Sequence, residues 1–299
     1  MNPYIKTGLS LALGIVIAHG AEPAGAETKP IASELVELGD LGTAVITGYA
    51  EKKARDFNTL TFKMDGYESS LLVPHVSAQG NPWIWRTSFP SYHREVDLAL
   101  VGKGFHVAHI GVVKMLGADA SLDIMDKFYE LLRRKWSLAE KPALEGVSRG
   151  GLHAYRYAAR HPERIACIYA DVPVMDLKSW PLRPEAKAAL PLKEAMSHYG
   201  FANEEELKAY RGNPVDLLEP IAKAKIPLRH VVSMNDEVVP PEQNTLEAQR
   251  RLQALGWDID VVRVQEGDPK SKGHRFPVPE VEETVAFIIK HSTKPESVH

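Results

Sequence analysis

Gly146-Val147-Ser148-Arg149-Gly150-Gly151 is the stretch that decides how this chain is read. It fits Gly-x-Ser-x-Gly, the pattern of a serine held on a sharp turn between a strand and a helix. Such a turn leaves no room for side chains two positions to either side, and glycine has no Cβ. The flanking residues supply the context the pattern needs. Before it, Pro142-Ala143-Leu144-Glu145 reads as the end of a buried strand. After it, residues 152–160 are helix-compatible and are stopped by His161-Pro162.

Working outward, strands and helices alternate. Residues 58–64 and 67–73 alternate in polarity around Asp65-Gly66, which predicts a hairpin. Beyond it the pattern predicts strands at 83–85, 105–110, 143–144, 164–170, 228–233 and 259–264. Helices are expected at 94–101, 119–136, 152–160, 241–255 and 279–289. This repetition implies an α/β fold with a mostly parallel central sheet and helices on both faces. Residues 173–222 break the rhythm with proline, charge and helical pieces at 185–199 and 203–210. They read as a small helical cap insertion, because loops of that length without structure are uncommon. Residues 31–57 are mixed and carry no clear assignment.

The amino end reads as an export signal. Lys6 precedes an apolar run at 9–18 of about ten residues, short of the ~20 needed to span a bilayer. Ala24-Gly25-Ala26 then offers a cleavage site. The expected organisation is a signal peptide at 1–26 and a single domain at 27–299 in an exported, periplasmic or extracellular protein. No later stretch is long and apolar enough to span a membrane. The formal net charge of −3 gives no reason to invoke nucleic acid. The single cysteine, Cys167, lies in an apolar strand pattern, so no internal disulfide is expected.

A serine hydroxyl needs a base to take its proton and an acid to orient that base. Asp236 follows the 228–233 strand, in Ser233-Met234-Asn235-Asp236-Glu237-Val238-Val239-Pro240. His274 follows the last strand, in Gly273-His274-Arg275-Phe276-Pro277. The order serine, acid, histidine, each after a parallel strand, suits one site at the carboxyl edge of the sheet. Asp171, just past the preceding strand, is the alternative acid. Among the other histidines, His153 and His161 read as helix-surface or capping residues, and His106 and His109 as strand residues.

An oxyanion needs backbone N–H donors, expected from Arg149 and from the loop near Arg86. Arg86 is either a substrate contact or an internal ion pair with Glu145 or Asp97. Trp85, Trp180, His75 and His93 are the other candidate substrate contacts. No metal-ligand cluster and no Gly-x-Gly-x-x-Gly dinucleotide loop stand out, so neither metal nor cofactor is expected.

Taken together, the elbow, the 233–240 loop and the Gly273-His274 step resemble the α/β-hydrolase superfamily over about residues 58–292. Segments 81–90, 103–111, 144–181, 210–227 and 230–245 resemble carbohydrate esterase family 19, whose activities include pectin methylesterase action. The resemblance implies Ser148 as nucleophile, His274 as base and Asp236 as acid, acting on an esterified oligosaccharide or polysaccharide. Arg275-Phe276 stands where the family pattern suggests a second histidine. Two other readings share these residues: a serine peptidase of the prolyl-oligopeptidase type, and a non-catalytic glycan-binding protein on the same scaffold.

Overall fold

The computed structural model describes residues 33–54, 56–182 and 190–293. The signal peptide expected at 1–26 and the start of the 185–199 helix lie outside the described residues. Among those described, one sheet of ten strands forms the centre of the molecule. The strands are β1 (Glu34–Glu37), β2 (Thr43–Lys53), β3 (Phe57–Met64), β4 (Tyr67–Pro74), β5 (Trp83–Arg86), β6 (His106–Ile110), β7 (Ala143–Val147), β8 (Cys167–Asp171), β9 (Leu228–Ser233) and β10 (Asp260–Val264). Their order is β1-β2-β3-β4-β6-β5-β7-β8-β9-β10. From β6 through β10 all neighbours are parallel; β1 to β4 add an antiparallel extension that ends by pairing with β6. The first two strands fall in the stretch that carries no clear assignment from sequence. What holds β2 in the sheet is its pairing with β3, which a local pattern does not reveal.

Strands β5 to β9 are buried on both faces, while β10 is a partly exposed edge. The helices are α1 (Glu95–Val101), α2 (Asp119–Trp136), α3 (Gly150–Arg160), α4 (Leu190–Tyr199), α5 (Glu204–Ala209), α6 (Leu218–Lys223), α7 (Thr245–Ala254) and α8 (Val281–Ser292). One face packs on α2, α3, α6 and α7 through residues such as Phe128, Leu131, Ala154, Tyr155, Ile221 and Leu252. The other packs on α1 and α8 through Val96, Leu100, Val285 and Ile288. Cys167 is buried in that second layer, and burial pushes its thiol up to about 12. Among the described residues no helix is long and apolar enough to cross a membrane.

The insertion between β8 and β9 divides in two. Leu192 and Ala195 of α4 and Leu207 of α5 form a separate apolar cluster with Leu116, Leu152, Val174 and Val239. Val215, Leu218 and Ile221 instead join the main core. Of the residues 173–222 expected as a cap, those of α6 pack on α3 and α7.

Candidate active site

The strand order places the site. β5 has β6 on one side and β7 on the other, so the chain connections leave a crevice at the carboxyl ends of β5 and β7. β7 ends at Val147, and Ser148 occupies the turn before α3. Its φ is +51°, in the left-handed region that few side chains adopt. Neighbouring groups hold it there. Ser148 N–H donates to Asp171 O (2.8 Å), while its carbonyl accepts N–H groups from Gly151 (3.0 Å) and Val174 (2.8 Å). The glycines are needed for close approach: a Cβ on Gly146 would lie 3.1 Å from Gly151 Cα, and one on Gly150 would strike Ser88 Oγ.

Ser148 Oγ lies 3.1 Å from His274 Nε2, and His274 Nδ1 lies 2.7 Å from Asp236 Oδ2. The structure thus brings together three residues separated by up to 126 positions. The Asp236 carboxylate is buried, and its Oδ1 accepts N–H groups from Val238 (2.8 Å) and Val239 (2.9 Å). Its second oxygen is thereby left for the imidazole. The two loops are tied to each other, with Glu237 N–H donating to Lys272 O (2.9 Å). Gly273 has φ +80°, and a Cβ there would run into Asn235. This close contact sets the distance between Asp236 and His274.

Arg149 follows Ser148. Its guanidinium stands 5.5 Å from the Phe89 ring centre and 5.6 Å from that of Trp180, and 3.3 Å from Glu194 on α4. Burial lowers its pKa, with Glu194 acting the other way. Trp180 and Arg149 are both partly exposed, so this cation and two rings form a wall next to Ser148. Sequence reasoning singles out neither Phe89 nor Glu194. Phe89 carries a signal, since it sits in the loop after β5, where an oxyanion donor is expected. Glu194 carries none, because its partner lies 45 residues away.

Three expected substrate contacts lie elsewhere. Arg86 is 1% exposed and paired with Asp97 (2.6 Å) and Glu145 (2.9 Å), so its side chain is an internal ion pair and does not reach substrate. Burial holds the Glu145 carboxyl well above the usual carboxylate range. Trp85 is fully buried, edge-on to Tyr157 at 5.0 Å, and belongs to the core. His75 is exposed but lies past the end of β4. That strand runs antiparallel to β6 and so delivers His75 to the amino edge of the parallel strands, opposite Ser148. His93 does lie near the site. Its Nδ1 is 2.5 Å from Asp171 Oδ2, and its ring stacks on Tyr92 (3.8 Å) and meets Phe276 (5.8 Å). Asp171, the alternative acid, is thus engaged by His93 and not by His274. His153, expected on a helix surface, is instead fully buried and accepts Gly117 N–H at 3.0 Å.

Fold and site define a serine hydrolase of the α/β-hydrolase type. Residues 102–295 match the prolyl oligopeptidase family, and the chain belongs to it. Solved structures share the fold. An S-formylglutathione hydrolase from Agrobacterium tumefaciens is 15% identical, with a TM-score of 0.58 over 81% of this chain and 98% of that one. MPT51 of Mycobacterium tuberculosis is 16% identical, with a TM-score of 0.54 over 76% and 94%. An acylaminoacyl peptidase from Pyrococcus horikoshii is 16% identical, with a TM-score of 0.59 over 85% of this chain and 46% of that one. Among curated proteins none matches.

Proposed function

We propose that this protein is an exported esterase that cleaves a carboxylic ester on a saccharide. The observation that carries the chemistry is the unbroken hydrogen-bond chain from Ser148 through His274 to Asp236. His274 Nε2 takes the Ser148 proton as Oγ attacks the ester carbonyl. Asp236 keeps Nδ1 protonated, fixes the ring and stabilises the imidazolium that forms. The resulting oxyanion is held by backbone N–H groups, one of them from Arg149. Collapse of the tetrahedral species expels the alcohol, which receives its proton from His274. A water then repeats the sequence on the acyl-enzyme and releases the acid.

The saccharide part rests on two supports. One is the resemblance of five sequence segments to carbohydrate esterases. The other is the wall formed by Arg149, Phe89 and Trp180. Aromatic faces suit the C–H faces of sugar rings, and a guanidinium suits the carboxylates of a partly esterified uronic acid polymer. With Arg86 buried in its own ion pairs, Arg149 is the one of these two arginines that can take that role. We propose a methyl-esterified, pectin-type uronate ahead of an acetylated sugar. The signal-like residues 1–26 support export. Family membership favours a second reading, a serine peptidase acting through the same three residues.

Product analysis separates these. Wild type and Ser148→Ala are assayed on a methyl-esterified oligogalacturonide, an acetylated glycan and an aminoacyl p-nitroanilide. Serine-dependent methanol is the expected product. Acetate would make the enzyme a deacetylase, and p-nitroaniline alone would favour the peptidase. Activity equal in both proteins would remove Ser148 from the mechanism.

A further inference from the structure

The buried Arg86 guanidinium is surrounded by the loop that follows it. Nε donates to the carbonyls of Ser88 (3.2 Å) and Phe89 (3.1 Å). One terminal nitrogen reaches His93 O (3.3 Å), Asp97 Oδ2 (2.6 Å) and Glu145 Oε1 (2.9 Å). The other donates to Tyr92 O. Four carbonyls of residues 88–93 therefore converge on one side chain, whose charge is offset by Asp97 of α1, with the Glu145 carboxyl of β7 beside it. A planar fork with five donors can serve that many acceptors; an ammonium cannot. The loop is also clasped to the nucleophile turn from outside. Thr87 Oγ1 donates to Gly150 O (3.0 Å), and Ser88 Oγ donates to Val147 O (2.8 Å). Phe89 (φ +46°) and His93 (φ +49°) both adopt the left-handed region, which isolated loops of such residues avoid.

The direction of one carbonyl then fixes the direction of one N–H. Among the described residues every peptide bond is trans, so the C=O of Ser88 and the N–H of Phe89 point to opposite sides of their shared unit. With the carbonyl drawn inward to Arg86, the Phe89 N–H is turned away from it. Among the described residues neither Phe89 N–H nor Arg149 N–H has a protein acceptor. Phe89 is partly exposed, and its ring lies against Arg149, beside Ser148. Thr87 N–H is already spent on Glu145 O (2.9 Å), and Ser88 is fully buried.

We propose that Arg86 is a positioning residue: by drawing in the Ser88 carbonyl it aims the Phe89 N–H to complete, with Arg149 N–H, the site that receives the oxyanion. This rests on the Ser148 chemistry and is independent of which ester is cleaved.

The test uses the full chain, p-nitrophenyl acetate as substrate and a trifluoromethyl ketone whose hemiketal oxyanion mimics the tetrahedral species. Arg86→Lys keeps a charge but loses the fork. It is expected to lose about 100-fold in kcat, as when one oxyanion donor is removed, with KM little changed. The ketone should weaken by the same factor. Should Arg86→Lys not fold, Asp97→Asn decides the matter: it leaves the arginine but removes a counter-charge, and a smaller parallel loss in kcat and ketone affinity is expected. A folded variant with wild-type kcat, a loss confined to KM, or a fall in kcat with unchanged ketone affinity overturns the proposal. Ser148→Ala run alongside keeps the two readings apart. If it retains wild-type turnover, the serine chemistry itself fails; if it is inert while the Arg86 and Asp97 variants match wild type, only the role of Arg86 fails.

Discussion

Two histidine–aspartate pairs lie within this site, and only one faces a nucleophile. His274 and Asp236 are 2.7 Å apart; His93 and Asp171 are 2.5 Å apart. Asp171 is the last residue of β8, and Asp236 lies just beyond the end of β9. The difference lies in what surrounds them. Asp236 Oδ1 accepts two backbone N–H groups, and His274 turns its far nitrogen to Ser148. Asp171 Oδ1 is buried with no hydrogen-bond partner, and His93 is packed between Tyr92 and Phe276. An imidazole–carboxylate pair becomes a proton-transfer device only when a nucleophile stands at its open end. Without one it is a structural clamp, here joining the loop after β5, the end of β8 and the histidine loop.

That contrast can be broken by mutation. The largest effect is expected at the proposed nucleophile and base: Ser148→Ala or His274→Ala should each lower kcat by about 10⁶, measured with an activated ester. Asp236→Asn should then cost about 10⁴ in kcat, because the amide favours the wrong imidazole tautomer. Asp171→Asn should leave turnover within about tenfold of wild type, since no reacting proton passes through it. Equal losses at the two aspartates would erase the distinction.

Stability should show the reverse weighting. His93→Ala removes the hydrogen-bond partner of the buried Asp171 carboxylate and should destabilise the fold by about 1–3 kcal/mol in denaturant titrations. A change in kcat without a change in unfolding midpoint would mean that His93 belongs to the chemistry.

Two further histidines add to acid sensitivity. Burial lowers His153 to about 4 and His230 to about 3. Below pH ~6.5 the unfolded chain binds protons that the folded chain refuses, so stability falls with pH. Each contributes a slope of about 1.4 kcal/mol per pH unit, down to its own folded value. Unfolding midpoints between pH 7 and 4 should drop accordingly, and His230→Gln should flatten the curve. A flat profile in wild type would contradict the burial of both. The smallest effect concerns Cys167. With its thiol pushed up to about 12, it should resist a thiol reagent at pH 8 until the protein is unfolded.

Much of the fold and of the site is legible in the residue pattern itself. The strand–serine–helix context of 143–160 and the positions of Asp236 and His274 after strands follow from local patterns that report local geometry. The helix at 119–136 and the strand at 228–233 coincide with the observed elements for the same reason. What the pattern does not carry is non-local. Arg86 reads from the sequence as either a ligand contact or an ion pair with Glu145 or Asp97, and only the fold shows both acids closing around it. His75 looks like a mouth residue until the antiparallel pairing of β4 sends it to the far edge. Trp85 cannot be told from a stacking platform until Phe128 and Tyr157 cover it.

The sequence by itself determined the α/β fold, the serine turn and the order of candidate catalytic residues. Periodicity and turn chemistry depend on neighbours a few residues apart. Only the tertiary structure decided which acid meets which histidine, which arginine faces outward and which is enclosed. Those outcomes depend on contacts between residues dozens of positions apart, and on the cost of burying a charge that no local pattern records.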